Sequence, residues 1–427
     1  MSLQAAIDRA LAETPPGRVV WVALSGGLDS SLLLTLAAQA CRHHPRPLYA
    51  LHIHHGLQSA AADFERHCRR LCSRLGVPLF VERVKVERDA GLGLEGAARQ
   101  ARYGAFACRV GPGETLWLAQ HRDDQAETFL LAAMRGSGVR GLAGMPSGRE
   151  WLGKRLERPL LARSRAELES EASRRGLRWV EDPTNTDEAL DRNFLRRSVL
   201  PLLEARWPHA AAALANSARH AGEAESLIEE LAERDLGALG GNLGRLAVQG
   251  LLALAPSRRR ALLRHACRER GLAAPPEARL ESLLSQLEAR SDAQVRVDWR
   301  GAEARIWRGH LYLMPPCDPL MSGWVVGWDG RRPLESPWGK SEVGLGRVDG
   351  QPARLTLKAR QGGERLRISE RGGRDLKRLL QEARVPPWER ERVVVVWHEQ
   401  TPIAALLVPE GRWLAVAEGW SSTAGIG

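Results

Sequence analysis

No run in this 427-residue sequence approaches the ~20 consecutive apolar residues that a membrane-spanning helix needs. Residues Met1 to Asp8 have neither the basic start nor the apolar core of a secretory signal, so the expectation is a soluble protein in the cytoplasm. Internal repeats are absent. The six cysteines (Cys41, Cys68, Cys72, Cys108, Cys267, Cys317) include no C-x-x-C pair, and no His/Cys spacing fits a structural zinc site, so free thiols are expected. Acidic residues are in deficit, 51 against 62 Lys plus Arg, leaving a net charge of +11. A basic balance of that size suits a polyanionic partner, although an arginine-rich composition alone would also produce it.

What is present begins at Ser25-Gly26-Gly27-Leu28-Asp29-Ser30, between a buried strand pattern (Val19 to Leu24) and an apolar helix. Two glycines let backbone N–H groups turn toward an anion, and the helix after them adds its positive dipole end. The Gly-Lys-Ser/Thr ending of a Walker loop is missing, which argues against γ-phosphate transfer.

The first half alternates strands near 18–24, 47–53, 78–84 and 115–119 with helices near 29–42, 59–75, 94–109 and 123–134, the second helix capped by Ser59. That order predicts an α/β fold, a doubly wound parallel sheet whose ligands sit at the carboxyl ends of the strands. The Ser25 loop, His52 to Gly56 and His121 onward all fall at such ends. After residue 150 the alternation is expected to stop. A helix at 164–176 and another from Leu190 come next, then a small helical domain over 216–315 closed by a hairpin from Val295. Residues 316–345, rich in Pro, Gly and Trp, read as a linker. The last module, 346–427, mixes strands (355–359, 393–397, 403–408) with a helix at 374–383, an α+β pattern. Within it, residues 354–378 carry nine basic side chains against Glu364, Glu370 and Asp375.

His121, Asp124 and Glu127 recur every three residues at the start of a helix and therefore share a face. Carboxylates there complement the helix dipole, and beside a nucleotide they can bind magnesium or grip a cation. Arg99 and Arg102 stand three apart on a helix, suited to a phosphate or a carboxylate. Arg135-Gly136-Ser137-Gly138 looks like a loop that closes over a base or merely connects.

Taken in order, Ser-Gly-Gly-Leu-Asp-Ser, His-His-Gly, Ala-Arg-Gln-Ala-Arg-Tyr, His-Arg-Asp-Asp-Gln-Ala-Glu-Thr, Arg-Gly-Ser-Gly and Glu-Asp-Pro-Thr-Asn through Asp-Arg-Asn-Phe-Leu-Arg resemble bacterial tRNA(Ile)-lysidine synthetases. Gly362-Gly363-Glu364-Arg365 and Leu379 to Arg390 extend the resemblance into the last module. It implies an N-type ATP pyrophosphatase (PP-loop) domain over 1–215, with the two later modules holding tRNA. It also implies ATP, Mg2+, L-lysine and the isoleucine tRNA with a CAU anticodon as ligands, and no membrane. Carried onto this chain, Ser25, Gly26, Gly27, Leu28, Asp29, Ser30 and His52 are expected at ATP, with Asp29 also at the metal. Arg102 is expected at the reaction centre, and Asp124 and Glu127 at lysine, Asp124 orienting the amine and Glu127 accepting its proton. Arg135, Arg192, Arg196, Arg360, Arg365, Arg374 and Lys377 are the expected tRNA contacts. Two readings compete: tRNA 2-thiocytidine synthesis, whose relatives carry C-x-x-C cysteines, and an RNA-binding protein with a vestigial nucleotide domain.

Overall fold

The computed structural model describes residues 2–56, 61–86, 93–288, 295–369, 372–408 and 410–423. Ser59, expected as a helix cap, lies outside them, as do Glu370 and Arg371 of the basic segment. The chain divides into two compact units, Met1–Ile228 and Glu229–Gly427. No helix among the described residues is long and apolar enough to cross a membrane.

In the first unit the chain runs α1 (Leu3–Glu13), β1 (Val20–Ala23), α2 (Leu28–Ala40), β2 (Leu48–His54), α3 (Ala61–Leu75), β3 (Leu79–Arg83), α4 (Gly93–Arg109), β4 (Thr115–Trp117) and α5 (Arg122–Met134). It continues with α6 (Val139–Leu142), β5 (Gly148–Trp151), β6 (Lys154–Glu157), α7 (Arg165–Arg174) and α8 (Asp191–Phe194). The strands form one sheet in the order β3-β2-β1-β4-β6-β5, all parallel except the edge strand β5. Strand order reverses between β1 and β4, so the loops that leave these two strands flank the switch point where ligands of such sheets bind.

Burial reflects the apolar pattern. Val20, Val22, Leu32, Leu33, Leu36 and Trp117 belong to one core, under α1, α2, α3 and α7. Trp21, Leu51, Phe106, Leu116 and Leu156 belong to the second, with Tyr103 and Trp151 packed against it. Strands buried on both faces read as continuous Val/Leu/Trp runs, which is why β1 was legible. The hairpin β5–β6 was not expected. Lys154-Arg-Leu-Glu157 buries only alternate side chains and Gly148-Arg-Glu-Trp151 fully buries none, and the polar remainder hides the strand pattern.

Among its described residues the second unit holds a four-stranded sheet, a five-stranded sheet and three two-stranded ones. Strands Arg245–Ala247, Arg296–Trp299, Ala302–Trp307 and His310–Met314 form a four-stranded antiparallel sheet over helices Pro256–Glu269 and Glu277–Ser285, so the expected hairpin is part of a larger sheet. The linker expected over 316–345 is folded instead. Val325–Trp328 pairs with Leu355–Ala359 as the edge of a five-stranded sheet, and Leu320, Trp328, Leu334 and Val343 enter its core beside Trp413. Of the tryptophans in this stretch, Trp328 is buried at the end of a four-residue strand, and half-buried Trp324 and Trp338 pack against the same core from outside the strands.

Candidate active site

The loop after β1 is shaped from within. Gly26 has φ +94°, a left-handed conformation that any side chain strains. A Cβ there would also stand 3.2 Å from both Cys68 Sγ and Phe64 Cδ1 of α3. Ser30 Oγ accepts the N–H groups of Ser25 (3.1 Å) and Gly26 (3.3 Å), and it lies 2.9 Å from Ser25 Oγ. Buried Ser30 therefore holds the turn together, while exposed Ser25 and half-buried Gly27 face outward. Gly27 is the N-cap of α2 and contributes no side-chain cap, so the first amides of α2 remain available to an anion. Leu28 packs into the core and can offer only its backbone.

His52 is buried, and its Nδ1 donates to the Leu24 carbonyl at 2.8 Å, with Cys68 Sγ 3.6 Å away. It braces the end of β1 from behind the loop. Burial lowers its pKa, which keeps the imidazole neutral.

Across the switch point, His121 is the N-cap of α5 and is 1 % exposed. Its Nε2 lies 3.9 Å from Asp29 and 3.5 Å from Asp124, and its Nδ1 lies 3.5 Å from Asp123. Burial alone would lower its pKa; the three carboxylates outweigh burial and raise it, favouring an imidazolium. One ring thus links the phosphate loop to the acidic face of α5. Asp123 ties that face to α7 by accepting the Arg165 N–H at 2.9 Å, and Asp124 accepts the His121 N–H at 3.0 Å.

Asp29, on the first turn of α2, has its pKa raised by burial against the pull of His121. Its Oδ1 is buried without a hydrogen-bond partner. Such an oxygen, facing a site of hard donors, fits a magnesium ion that takes one or two carboxylates and completes its shell with phosphate and water. No group of three acidic, His or Cys side chains among the described residues would hold a metal unaided.

Glu127 has no exposed surface; Arg196 Nε donates to its Oε1 at 2.8 Å and an Arg192 NH group reaches its Oε2 at 3.4 Å. Arg196 also reaches Asp124 Oδ1 at 3.2 Å. Burial raises the pKa of Glu127 in spite of these cations. Arg192 and Arg196 were expected at tRNA, yet the structure places both against the acidic pair. They stand four apart where α8 runs into a π-helical turn, Leu195–Val199, and so share one face. Glu127 was expected as the proton acceptor, but both of its oxygens are engaged and neither is exposed; Asp124 retains 16 % side-chain exposure.

Two further residues escaped the sequence reading. Gln125, on the buried side of α5, donates to the carbonyls of Ala143 and Met145 and accepts the Met145 N–H at 2.8 Å, so the glycine-rich segment after α5 is pinned. Asn193 donates to the carbonyls of Thr184 and Asp187, both at 2.8 Å, clamping the Glu181 to Asn185 turn onto α8, while the Val180 N–H reaches the Gly26 carbonyl. Polar residues inside recurring motifs were the available signal.

Arg102 is half-buried on α4, and its charge helps lower the pKa of His55, after burial. Arg135 is 70 % exposed at the end of α5, 3.9 Å from Asp191. The remaining candidates belong to the second unit. Arg365 faces outward on the hairpin Arg365–Ile368/Gly372–Asp375, Lys377 is exposed on the first turn of helix Leu376–Glu382, and Arg360 and Arg374 are half-buried. Buried Glu364 accepts the N–H groups of Gln361 and Gly362, which explains the Gly-Gly-Glu-Arg motif as a folded turn.

Comparison with known proteins bears on this geometry. Residues 1–203 match the PP-loop domain family, 246–312 the TilS substrate binding domain and 355–419 the TilS substrate C-terminal domain. A tRNA(Ile)-lysidine synthase of Xanthomonas axonopodis pv. citri is 46 % identical over 405 residues, covering 92 % of this chain and 90 % of its own. The chain belongs to the tRNA(Ile)-lysidine synthase family. Synthases of Pseudomonas syringae pv. tomato (43 % identical, 95 % of this chain and 92 % of its own) and Shigella flexneri (41 %, 94 % of each) are similar over the same span.

Proposed function

We propose that the protein ligates free L-lysine to C2 of the wobble cytidine in the CAU-anticodon isoleucine tRNA, in the cytoplasm, through an adenylated cytidine. The observation that carries this reading is the pairing of a phosphate loop with the Asp124–Glu127 acidic face, the two bridged by buried His121.

In the first step the cytidine C2 oxygen attacks the α-phosphorus of ATP and pyrophosphate leaves. The amides at Gly27 and the start of α2 hold the phosphates, and Asp29, whose Oδ1 is unpaired, would hold magnesium. Magnesium, when bound, supplies positive charge to the phosphate oxygens. In the second step the lysine amine attacks C2 and AMP leaves. An amine of pKa ~10.4 must first lose a proton, which at neutral pH costs about 4.6 kcal/mol. Asp124, the accessible carboxylate, meets the amine and takes up the proton it releases; Glu127 anchors Arg192 and Arg196, and Arg196 fixes the Asp124 carboxylate. Fixed geometry rather than strong basicity is then the main contribution of this face. Arg102, on α4 with its charge felt at His55, is assigned to the reaction centre, and the modules of the second unit are assigned to the tRNA, through residues such as Arg365 and Lys377.

Mass spectrometry of nucleosides from tRNA incubated with the protein, ATP, magnesium and lysine tests the reading. Lysine-bearing cytidine is expected only when all components are present. A sulfur-bearing cytidine formed when a sulfide donor is supplied beside lysine, or tRNA left unmodified, would replace this reading by one of its two rivals.

A further inference from the structure

We propose that Arg99, Arg149 and buried Arg158 form an oxyanion subsite on the α4 side of the sheet, taking a backbone phosphodiester of the RNA next to the reacting cytidine. This rests on the function proposed above and names where that substrate's backbone is held.

Arg158 opens the loop that leaves β6, at the carboxyl end of the strand next to β4. It is only 4 % exposed, and its hydrogen-bond acceptors are neutral: Nε donates to Gln120 Oε1 at 3.1 Å and an NH group donates to the Pro146 carbonyl at 2.8 Å. No carboxylate lies within ion-pairing distance of it among the described residues. Buried guanidiniums are ordinarily matched by carboxylates, because removing the charge from water is costly without an opposite charge. This one is left to be matched by something else. Gln120 directly precedes His121, so the guanidinium is one hydrogen bond from the site.

Two more cations converge there. Arg149 stands opposite Leu156 in the β5–β6 hairpin, and Leu156 is fully buried in the core on the α4 side, so Arg149 projects to that same face. Tyr103 of α4 meets Trp151 of β5 edge-on with ring centroids 5.6 Å apart. The Arg99 guanidinium lies 4.8 Å above the Tyr103 ring and reaches the Tyr103 hydroxyl at 3.4 Å. Burial depresses the pKa of Arg158, the Tyr103 hydroxyl that it meets raises it, and the charges of Arg149 and Arg99 depress it, so all three groups stand close to this guanidinium. Neither Arg99 nor Arg149 has an ion-pair partner among the described residues.

Three donors around one tyrosine suit an oxyanion with several oxygens. ATP phosphates, a lysine carboxylate and an RNA phosphodiester share that chemistry. The ATP loop lies on the β1 side of the switch, and Arg158 lies one strand beyond β4. Arg99 and Arg149 are exposed on the outer surface, where a polymer can run and a small enclosed co-substrate does not reach.

The test uses the full-length chain carrying Arg99→Ala and Arg149→Ala together, both exposed positions. Affinity for isoleucine tRNA is measured against salt, alongside the ATP dissociation constant and the lysine KM. The expected result is about tenfold weaker tRNA binding and a salt dependence shallower by about one to two in log–log slope, with ATP and lysine constants unchanged. Arg158→Lys, which keeps the charge and loses the fork, is expected to raise the KM for tRNA while its melting temperature stays near the wild-type value. Unchanged tRNA affinity and slope in the double variant would overturn the proposal, and so would a loss confined to ATP or lysine. Wild-type protein that binds tRNA without forming lysidine would sink the function proposed above, and the RNA affinity ratio would still decide the subsite.

Discussion

Gly26 and Gly27 are neighbours with different obligations. Gly26 needs φ +94° and has α3 close against it, whereas Gly27 has φ −74° and a Cβ there would meet only Ser25 Oγ at an ordinary 3.5 Å. Gly26→Ala is therefore expected to destabilise the protein by about 1–3 kcal/mol, through backbone strain and crowding. Gly27→Ala is expected to keep its melting temperature and lose ATP affinity, because its methyl group would stand where phosphate meets the amides. Thermal melts together with ATP titration of both variants check this; equal destabilisation by the two would contradict the division. The glycine pair was legible in sequence. The partners of Glu127 were not, because Arg192 and Arg196 come 65 and 69 residues later and their pairing depends on a π-helical turn that no periodicity announces.

Among elements, α7 shows how a cap sets the position of the site. Ser164 Oγ accepts the Glu167 N–H at 3.2 Å, and the Glu167 carboxylate accepts the Ser164 N–H at 2.7 Å. This capping box starts the helix whose first amide, at Arg165, holds Asp123. Ser164→Ala is expected to cost about 1 kcal/mol. The same hydrogen bond from Ser164 holds the pKa of Glu167 below its ordinary 4.5. A carboxylate with a depressed folded pKa contributes stability above its unfolded pKa and loses that contribution as pH falls through the folded value. The stability difference between wild type and Glu167→Gln is thus expected to be full near neutrality and to shrink below pH 4.5, as read from urea midpoints across the acid limb. A difference that grows on acidification would contradict the cap. Elements with a strong amphipathic period, such as α3 and α4, or with a continuous apolar run, such as β1 and α2, were readable within a few residues. The hairpin β5–β6 and Val325–Trp328 were not, because strands of four residues with mixed polar faces carry too few positions to establish a period.

At the scale of the whole molecule, the order of motifs predicted the chemistry better than composition did. The charge of +11 is compatible with RNA but does not say where RNA lies, and the basic segment 354–378 turned out to be partly structural, with Glu364 shaping its turn and Arg360 and Arg374 half-buried. Domain boundaries were the least legible feature. The stretch taken for a linker is an edge strand and core of the last sheet, so any separation of the tRNA-holding modules has to keep residues 320–345 together with the strands from Leu355 onward. In the function proposed here the crevice of the first unit is used twice: ATP activates the RNA base, then an amine displaces AMP beside Asp124. The measurement that tests this most directly compares tRNA-dependent pyrophosphate release with radiolabelled lysine incorporation in Asp124→Asn. The account predicts that pyrophosphate release persists while lysine incorporation falls at least a hundredfold, roughly 2.7 kcal/mol or more of lost transition-state stabilisation. Loss of both activities in parallel, in a variant that still melts like wild type and binds ATP, would contradict the assignment of Asp124 to the amine step.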